Sequence, residues 1–144
     1  MDIREITKRF YAAPQLNPED MMALASAGFT TVICNRPDAE VPPSHQAQAM
    51  QDAARSAGLD FHFLPLTHDT FTAENIAKQR SISDAASGAC VAYCASGTRS
   101  TFAWAMAQAG EMPTDDIVRL AAQAGYDLSP LLQTLDALAT QTKV

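Results

Sequence analysis

What this chain has little of narrows it first. No run approaches the roughly 20 apolar residues that span a bilayer, and the opening Met1-Asp2-Ile3-Arg4-Glu5 lacks the basic-then-apolar order of a secretory signal. A cytoplasmic protein with no membrane partner is expected. Basic residues are scarce, 10 against 16 acidic ones, for a formal charge of -6. No diffuse positive field can therefore draw in nucleic acid or anionic lipid, and any anion site must be local. Three cysteines, Cys34, Cys90 and Cys94, cannot all pair within one molecule and lack the spaced doublets of a zinc site, so at least one thiol is free. The histidines His45, His62 and His68 fall in different segments, so with Asp69 they read as scattered polar residues; neither metal nor other cofactor is expected.

What is present is a globular composition. A hydrophobic share of 47%, with only six glycines and eight prolines, excludes a disordered tail, a collagenous repeat and a coiled coil. A length of 144 residues suits a single domain over 1–144.

Local signals give alternating strands and helices. Asn17-Pro18-Glu19-Asp20 starts a helix that runs to Gly28: a capping side chain, a proline whose missing N–H costs nothing there, then acids on the positive end of the dipole. The β-branched and aromatic run Phe29 to Cys34 is a strand stopped by the turn cluster Asn35-Arg36-Pro37-Asp38. Ser44 caps a helix to about Ala57, and Asp60 to Leu66 alternates as a second strand with Pro65 at its exit. Thr72 begins a helix that fades before Gly88. Ala89 to Tyr93, almost wholly apolar, is a central strand buried on both faces that delivers Cys94 to the sheet edge. Helices follow from Thr101 to Ala109, Thr114 to Ala124 and Ser129 to about Thr140, and Arg9 to Ala12 adds an edge strand. The stripe of Phe102 and Met106 with Trp104 is helix packing, since no basic residues interleave it as a base-stacking platform requires. The fold class is α/β: three layers, a mostly parallel sheet flanked by helices, with ligands beyond the carboxyl ends of the strands, where Cys34, Leu66 and Cys94 emerge.

The chemistry is concentrated in Cys94-Ala95-Ser96-Gly97-Thr98-Arg99-Ser100. In the order strand, cysteine, loop, helix, the N–H groups of residues 95 to 100 turn inward as an anion nest with the helix dipole aimed at the same spot. That field favours thiolate over thiol at Cys94, so nucleophile and anion cradle coincide. Arg99 can hold two oxygens of an oxyanion side by side; Ser100 or Thr98 can donate a hydroxyl to the sulfur, and Gly97 permits a positive φ in the bend. Cys90, about 13 Å from Cys94 at about 3.3 Å per strand residue, is too far for a disulfide and reads as core packing.

The segment Val91-Ala-Tyr-Cys-Ala-Ser-Gly-Thr-Arg-Ser100 resembles the active-site segment of the cysteine-dependent phosphatases. From Asn35-Arg36-Pro37-Asp38 through Ala124-Gly125-Tyr126-Asp127-Leu128 the chain is similar to the beta-lactamase hydrolase-like protein, phosphatase-like domain family over nearly its full length. The resemblance implies a dual-specificity-phosphatase-like fold with Cys94 as nucleophile and Arg99 as oxyanion binder. It also sets Asp69, in Leu64-Pro-Leu-Thr-His-Asp69, where such enzymes carry their general acid, with His68 as substitute and Asp38 as a third option that more naturally builds the pocket wall. Some phosphatases of that superfamily protect the nucleophile with a second cysteine, a resolving role that would fall to Cys34.

The family segment usually reads Cys-Arg-Ser-Gly-Thr-Arg-Ser, so Ala95 is a departure. Four residues separate Cys94 from Arg99, where the well-studied phosphatases have five and a histidine before the cysteine in place of Tyr93. Four is the spacing of many rhodanese-type sulfurtransferases, although no rhodanese-like tail follows Gly110. Three functions therefore stand: a phosphatase working through a phosphocysteine, a sulfurtransferase working through a Cys94 persulfide, and a weakly active anion-binding module. Each takes a small anionic or phosphorylated partner.

Overall fold

The computed structural model describes residues 1–142. Five strands, β1 (Arg4–Glu5), β2 (Phe10–Ala13), β3 (Phe29–Cys34), β4 (Asp60–Phe63) and β5 (Ala89–Tyr93), form one sheet in the order β1-β2-β5-β3-β4. All neighbours are parallel except β1 with β2. The helices are α1 (Met21–Ser26), α2 (Ala47–Ser56), α3 (Ala73–Ala85), α4 (Thr98–Gln108), α5 (Thr114–Gln123) and α6 (Leu132–Thr142). The result is the expected three-layer α/β arrangement.

Period-two alternation divides the core between the two faces of the sheet. Val32, Cys34, Val91 and Tyr93 point to one side, with Leu24, Met50 and Ala54 from α1 and α2. Ile33, Cys90 and Ala92 point to the other, with Trp104, Ile117, Leu128 and Leu135 from the C-terminal half. The central strand β5 is buried on both faces, as its unbroken apolar run requires. Cys90 is fully buried, and burial pushes its thiol up to about 12, which keeps it inert.

Several local expectations are corrected. The N-terminal strand Phe10–Ala13 lies inside the sheet, because the two-residue β1 covers it; β1 is too short to leave a sequence pattern. Ser44 falls in a 3-10 turn, Pro43–His45, and α2 begins only at Ala47, whose N–H donates to Asp38 Oδ1 at 2.7 Å. Asp38 therefore caps the start of α2. The helix after the cysteine starts at Thr98, three residues earlier than Thr101, which places Arg99 in its first turn. Strand β4 ends at Phe63, though Leu64 and Leu66 still donate to Cys34 and Asn35 carbonyls across the gap left by Pro65.

Candidate active site

Cys94 leaves β5 with its N–H held by the Ala13 carbonyl at 3.3 Å, and its sulfur accepts the Gly97 N–H at 3.0 Å. Gly97 bends the chain at φ +95°, a left-handed conformation in which a Cβ would also overlap the Tyr126 hydroxyl. The three loop carbonyls are tied outward: Ala95 by Gln15 N, Ser96 by the Tyr126 hydroxyl at 3.2 Å, and Gly97 by Thr101 N and Oγ1. The N–H groups of Ala95, Ser96, Arg99 and Ser100 donate to no acceptor among the described residues, as the start of a helix leaves them. A set of donors at a helix N-terminus suits an anion.

Arg99 is anchored along one edge. Its Nη1 donates to Glu40 Oε2 at 2.9 Å and to the Leu66 carbonyl at 3.0 Å, and its Nη2 donates to Glu40 Oε1 at 2.7 Å. A guanidinium carries five N–H donors. The two that hold no oxygen among the described residues, Nε–H and the second Nη2–H, lie side by side on the other edge, the fork that grips two oxygens of an oxyanion. Glu40 is itself held by Arg36, whose Nε donates to its carboxylate at 3.3 Å. The hydrogen bond from Arg99 keeps the Glu40 carboxyl below its ordinary range, and the same bond, reinforced by the nearby Cys94 sulfur, holds Arg99 charged.

Ser100 has a different role from the one expected. Its buried hydroxyl donates to Asn35 Oδ1 at 2.7 Å rather than to sulfur, while Asn35 Nδ2 donates to the Leu64 carbonyl and to Gln79 Oε1. The network ties the ends of β3 and β4 to α3 and α4, fixing the floor beneath the loop. Thr98 Oγ1 accepts from Ser96 Oγ at 2.9 Å on the exposed rim.

Beside Arg99 lies a cavity of about 490 Å³. Phe71, Phe102, Met106 and Leu131 make its apolar wall; Glu40, Thr67, His68 and Arg99 make its polar end. Phe102 and Met106 thus do more than pack the helix, whereas Trp104 is buried and stacks on Phe10. His68 lines this cavity; Asp69 is exposed and does not, its N–H donating to Thr67 Oγ1. Cys34 is paired in register with Tyr93, and its buried thiol, pushed up by burial, donates to the Arg36 carbonyl at 3.3 Å. No cluster of three metal-ligating side chains occurs among the described residues, and no helix among them is long and apolar enough to cross a membrane.

Glu40, Asn35, Gln79 and Tyr126 are the participants that local sequence reasoning misses as site residues. Each acts across a long stretch of chain, Glu40 on Arg99 at a separation of 59 residues and Asn35 on Ser100 at 65.

Comparison with known proteins agrees with this fold. Residues 2–111 match the family model described as beta-lactamase hydrolase-like protein, phosphatase-like domain. A beta-lactamase hydrolase-like protein of Xylella fastidiosa (strain 9a5c) is 33% identical over 145 residues, covering 99% of this chain and 33% of the relative. One from Agrobacterium fabrum is 29% identical over 133 residues, covering 91% of this chain and 31% of the relative. The chain thus spans about a third of the length of the curated relatives it matches. A solved structure from Neisseria meningitidis Z2491, provisionally described as a phosphatase, superposes with a TM-score of 0.84 at 32% identity, over 96% of this chain and 99% of that one. A protein from Shewanella putrefaciens CN-32, described in the same provisional way, matches at 0.70 with 16% identity, over 98% of this chain and 88% of that one, and shows the fold alone.

Proposed function

The chain belongs to the beta-lactamase hydrolase-like protein, phosphatase-like domain family, and from that premise we propose that it is a cysteine-dependent phosphatase acting on small phosphomonoesters with an apolar leaving group. The observation that carries the proposal is the Nε/Nη2 edge of Arg99, left without an oxygen acceptor by the Glu40 and Leu66 contacts and set against the Cys94 sulfur. The Cys94 thiolate attacks phosphorus, Arg99 and the unpartnered loop amides take the non-bridging oxygens, and the ester oxygen leaves with a proton from an acid. Water then releases phosphate from the phosphocysteine. The apolar wall of Phe71, Phe102, Met106 and Leu131 supports an aryl or alkyl leaving group.

The acid is Asp69 by resemblance and His68 by position, since only His68 lines the cavity. Asp69→Asn should leave turnover and its pH profile unchanged, whereas His68→Gln should slow aryl phosphates of poor leaving groups by about 10²-fold and activated ones far less. Equal sensitivity of Asp69→Asn would return the role to Asp69.

Sulfurtransfer is the second reading, favoured by the four-residue spacing and by a cavity whose one carboxylate, Glu40, is bound to Arg99. There Cys94 attacks the sulfane sulfur of thiosulfate, sulfite departs, and cyanide removes the sulfur from the persulfide as thiocyanate, restoring the thiolate. Aryl phosphate and thiosulfate-plus-cyanide assays, with Cys94→Ser as blank and the Cys94 adduct identified by mass spectrometry, test the proposal: a phosphoryl adduct with phosphate release is the expected result. A sulfane adduct with inert phosphate esters overturns it in favour of sulfurtransfer. Inertness in both assays with retained phosphate binding overturns it in favour of an anion-binding module.

A redox role for Cys34 is a separate proposal, supported by its place on the strand paired with β5, one register step from Cys94. Mild peroxide should then link the two sulfurs. Mass spectrometry finding only overoxidised Cys94 would remove the idea.

A further inference from the structure

We infer that Tyr126 is a positioning residue that orients the peptide joining Ser96 to Gly97 so that its N–H faces the Cys94 sulfur. This role rests on the thiolate reading above and on the geometry of one peptide plane. That peptide is trans, as every peptide among the described residues is, so its carbonyl and its N–H point in opposite directions. The carbonyl accepts the Tyr126 hydroxyl at 3.2 Å, and the N–H donates to Cys94 Sγ at 3.0 Å. Tyr126 and the sulfur therefore hold the two ends of one rigid unit. The flanking Gly97, with no Cβ and φ of +95°, restrains that unit less than another residue would, so an external anchor is needed to stop the plane rotating.

Tyr126 is built to be that anchor. It lies in the connection between α5 and α6, is 6% exposed, and carries the Arg4 guanidinium over its ring at 5.4 Å from the centroid. Arg4 in turn donates to the Ala124 carbonyl at 3.1 Å and pairs with Asp2. Burial raises the phenol above its ordinary range, so it stays protonated and remains a donor. A chain of contacts thus runs from β1 through Arg4 and Tyr126 to the loop, linking the N-terminal edge of the sheet to the peptide that faces the Cys94 sulfur.

The test is Tyr126→Phe, which removes one hydroxyl and leaves the ring, its packing and the Arg4 contact. Thiolate absorbance of each protein, minus that of the same protein carrying Cys94→Ser, is followed against pH. The subtraction cancels the contributions of Cys34 and Cys90, whose thiols are both pushed up by burial. The expected result is an ionisation curve for Cys94 displaced to higher pH, with the thiolate fraction below the wild-type midpoint reduced about fivefold, the scale of weakening one charge-assisted hydrogen bond. The melting temperature is read alongside; a role confined to packing would move that and leave the curve in place. A superimposable curve in the variant overturns the inference about Tyr126 alone. A wild-type curve with no ionisation below about pH 9, above the free thiol's ordinary value, overturns the thiolate reading and this inference together.

Discussion

On the proposed phosphatase reading, turnover should fall to background in Cys94→Ser and by about 10²- to 10³-fold in Arg99→Ala, the range expected when a transition-state donor is removed. The second loss has two components that can be separated. In the proposed mechanism Arg99 meets the developing oxyanion with its Nε/Nη2 edge, and it also neutralises Glu40 at the polar end of the cavity. Without Arg99, the carboxylate stays behind with Arg36 as its one remaining cation and repels an incoming anion more strongly. The double variant Arg99→Ala with Glu40→Gln should therefore be more active than Arg99→Ala alone, a non-additivity that a simple loss of two useful residues would not give. Glu40→Gln by itself loosens the guanidinium and should cost about tenfold in kcat/KM. A double variant no better than the sum of its singles would show that Glu40 neither aims Arg99 nor burdens the site in its absence.

The same pair sets an acid limit. Glu40 has its carboxyl depressed below the ordinary 4.5 by the Arg99 hydrogen bond. A depressed acid contributes fully above its unfolded value and loses that contribution as pH falls through its folded one. The anchoring of Arg99 should persist through 4.5 and fail only below it, and Glu40→Gln should abolish that acid limb.

How much of this can be read from the sequence follows from the range of each interaction. The β5 run, the loop and the helix that follows are contiguous, so strand pattern, glycine bend and helix start reinforce one another, and the Cys94 to Arg99 constellation is legible. The layer order is legible for the same reason, since each strand and helix carries its own period. What aims Arg99 is not. Glu40 sits in a 3-10 turn with no periodicity, and its carboxylate reaches a helix 59 residues away. Asn35 has the local signature of a turn residue, yet it is fully buried because Ser100, Gln79 and the Leu64 carbonyl satisfy its amide. The helix starts ahead of Thr101 because Gly97 takes the N-cap position in left-handed conformation, which lets Thr98 and Arg99 join the first turn. Ser44 fails as a cap because Asp38 reaches the Ala47 N–H from across the loop.

Gly97→Ala tests whether the loop is held as tightly as these contacts imply. An alanine at φ +95° costs about 1–2 kcal/mol in backbone strain alone. Its Cβ also overlaps the Tyr126 hydroxyl, which cannot retreat easily under Arg4, so a further ~1–3 kcal/mol of overpacking is expected. Together these should lower the melting temperature by about 10 °C for a chain of this size. The loop relieves the overlap by moving, which withdraws the Gly97 N–H from the sulfur and should reduce turnover by about 10²-fold even where the protein remains folded. Gly58→Ala separates the two costs. Gly58 has a similar φ of +84°, but no atom lies within 4 Å of where an added Cβ would sit, so only the strain applies and turnover should be unchanged. Adding Tyr126→Phe to Gly97→Ala should restore part of the stability, since the closest overlap is with the phenolic oxygen, while activity stays low because the carbonyl anchor is gone as well. A Gly97→Ala protein that melts with Gly58→Ala and turns over like the wild type would mean that the loop has room to spare and that neither Tyr126 nor the bend sets the position of the Cys94 sulfur.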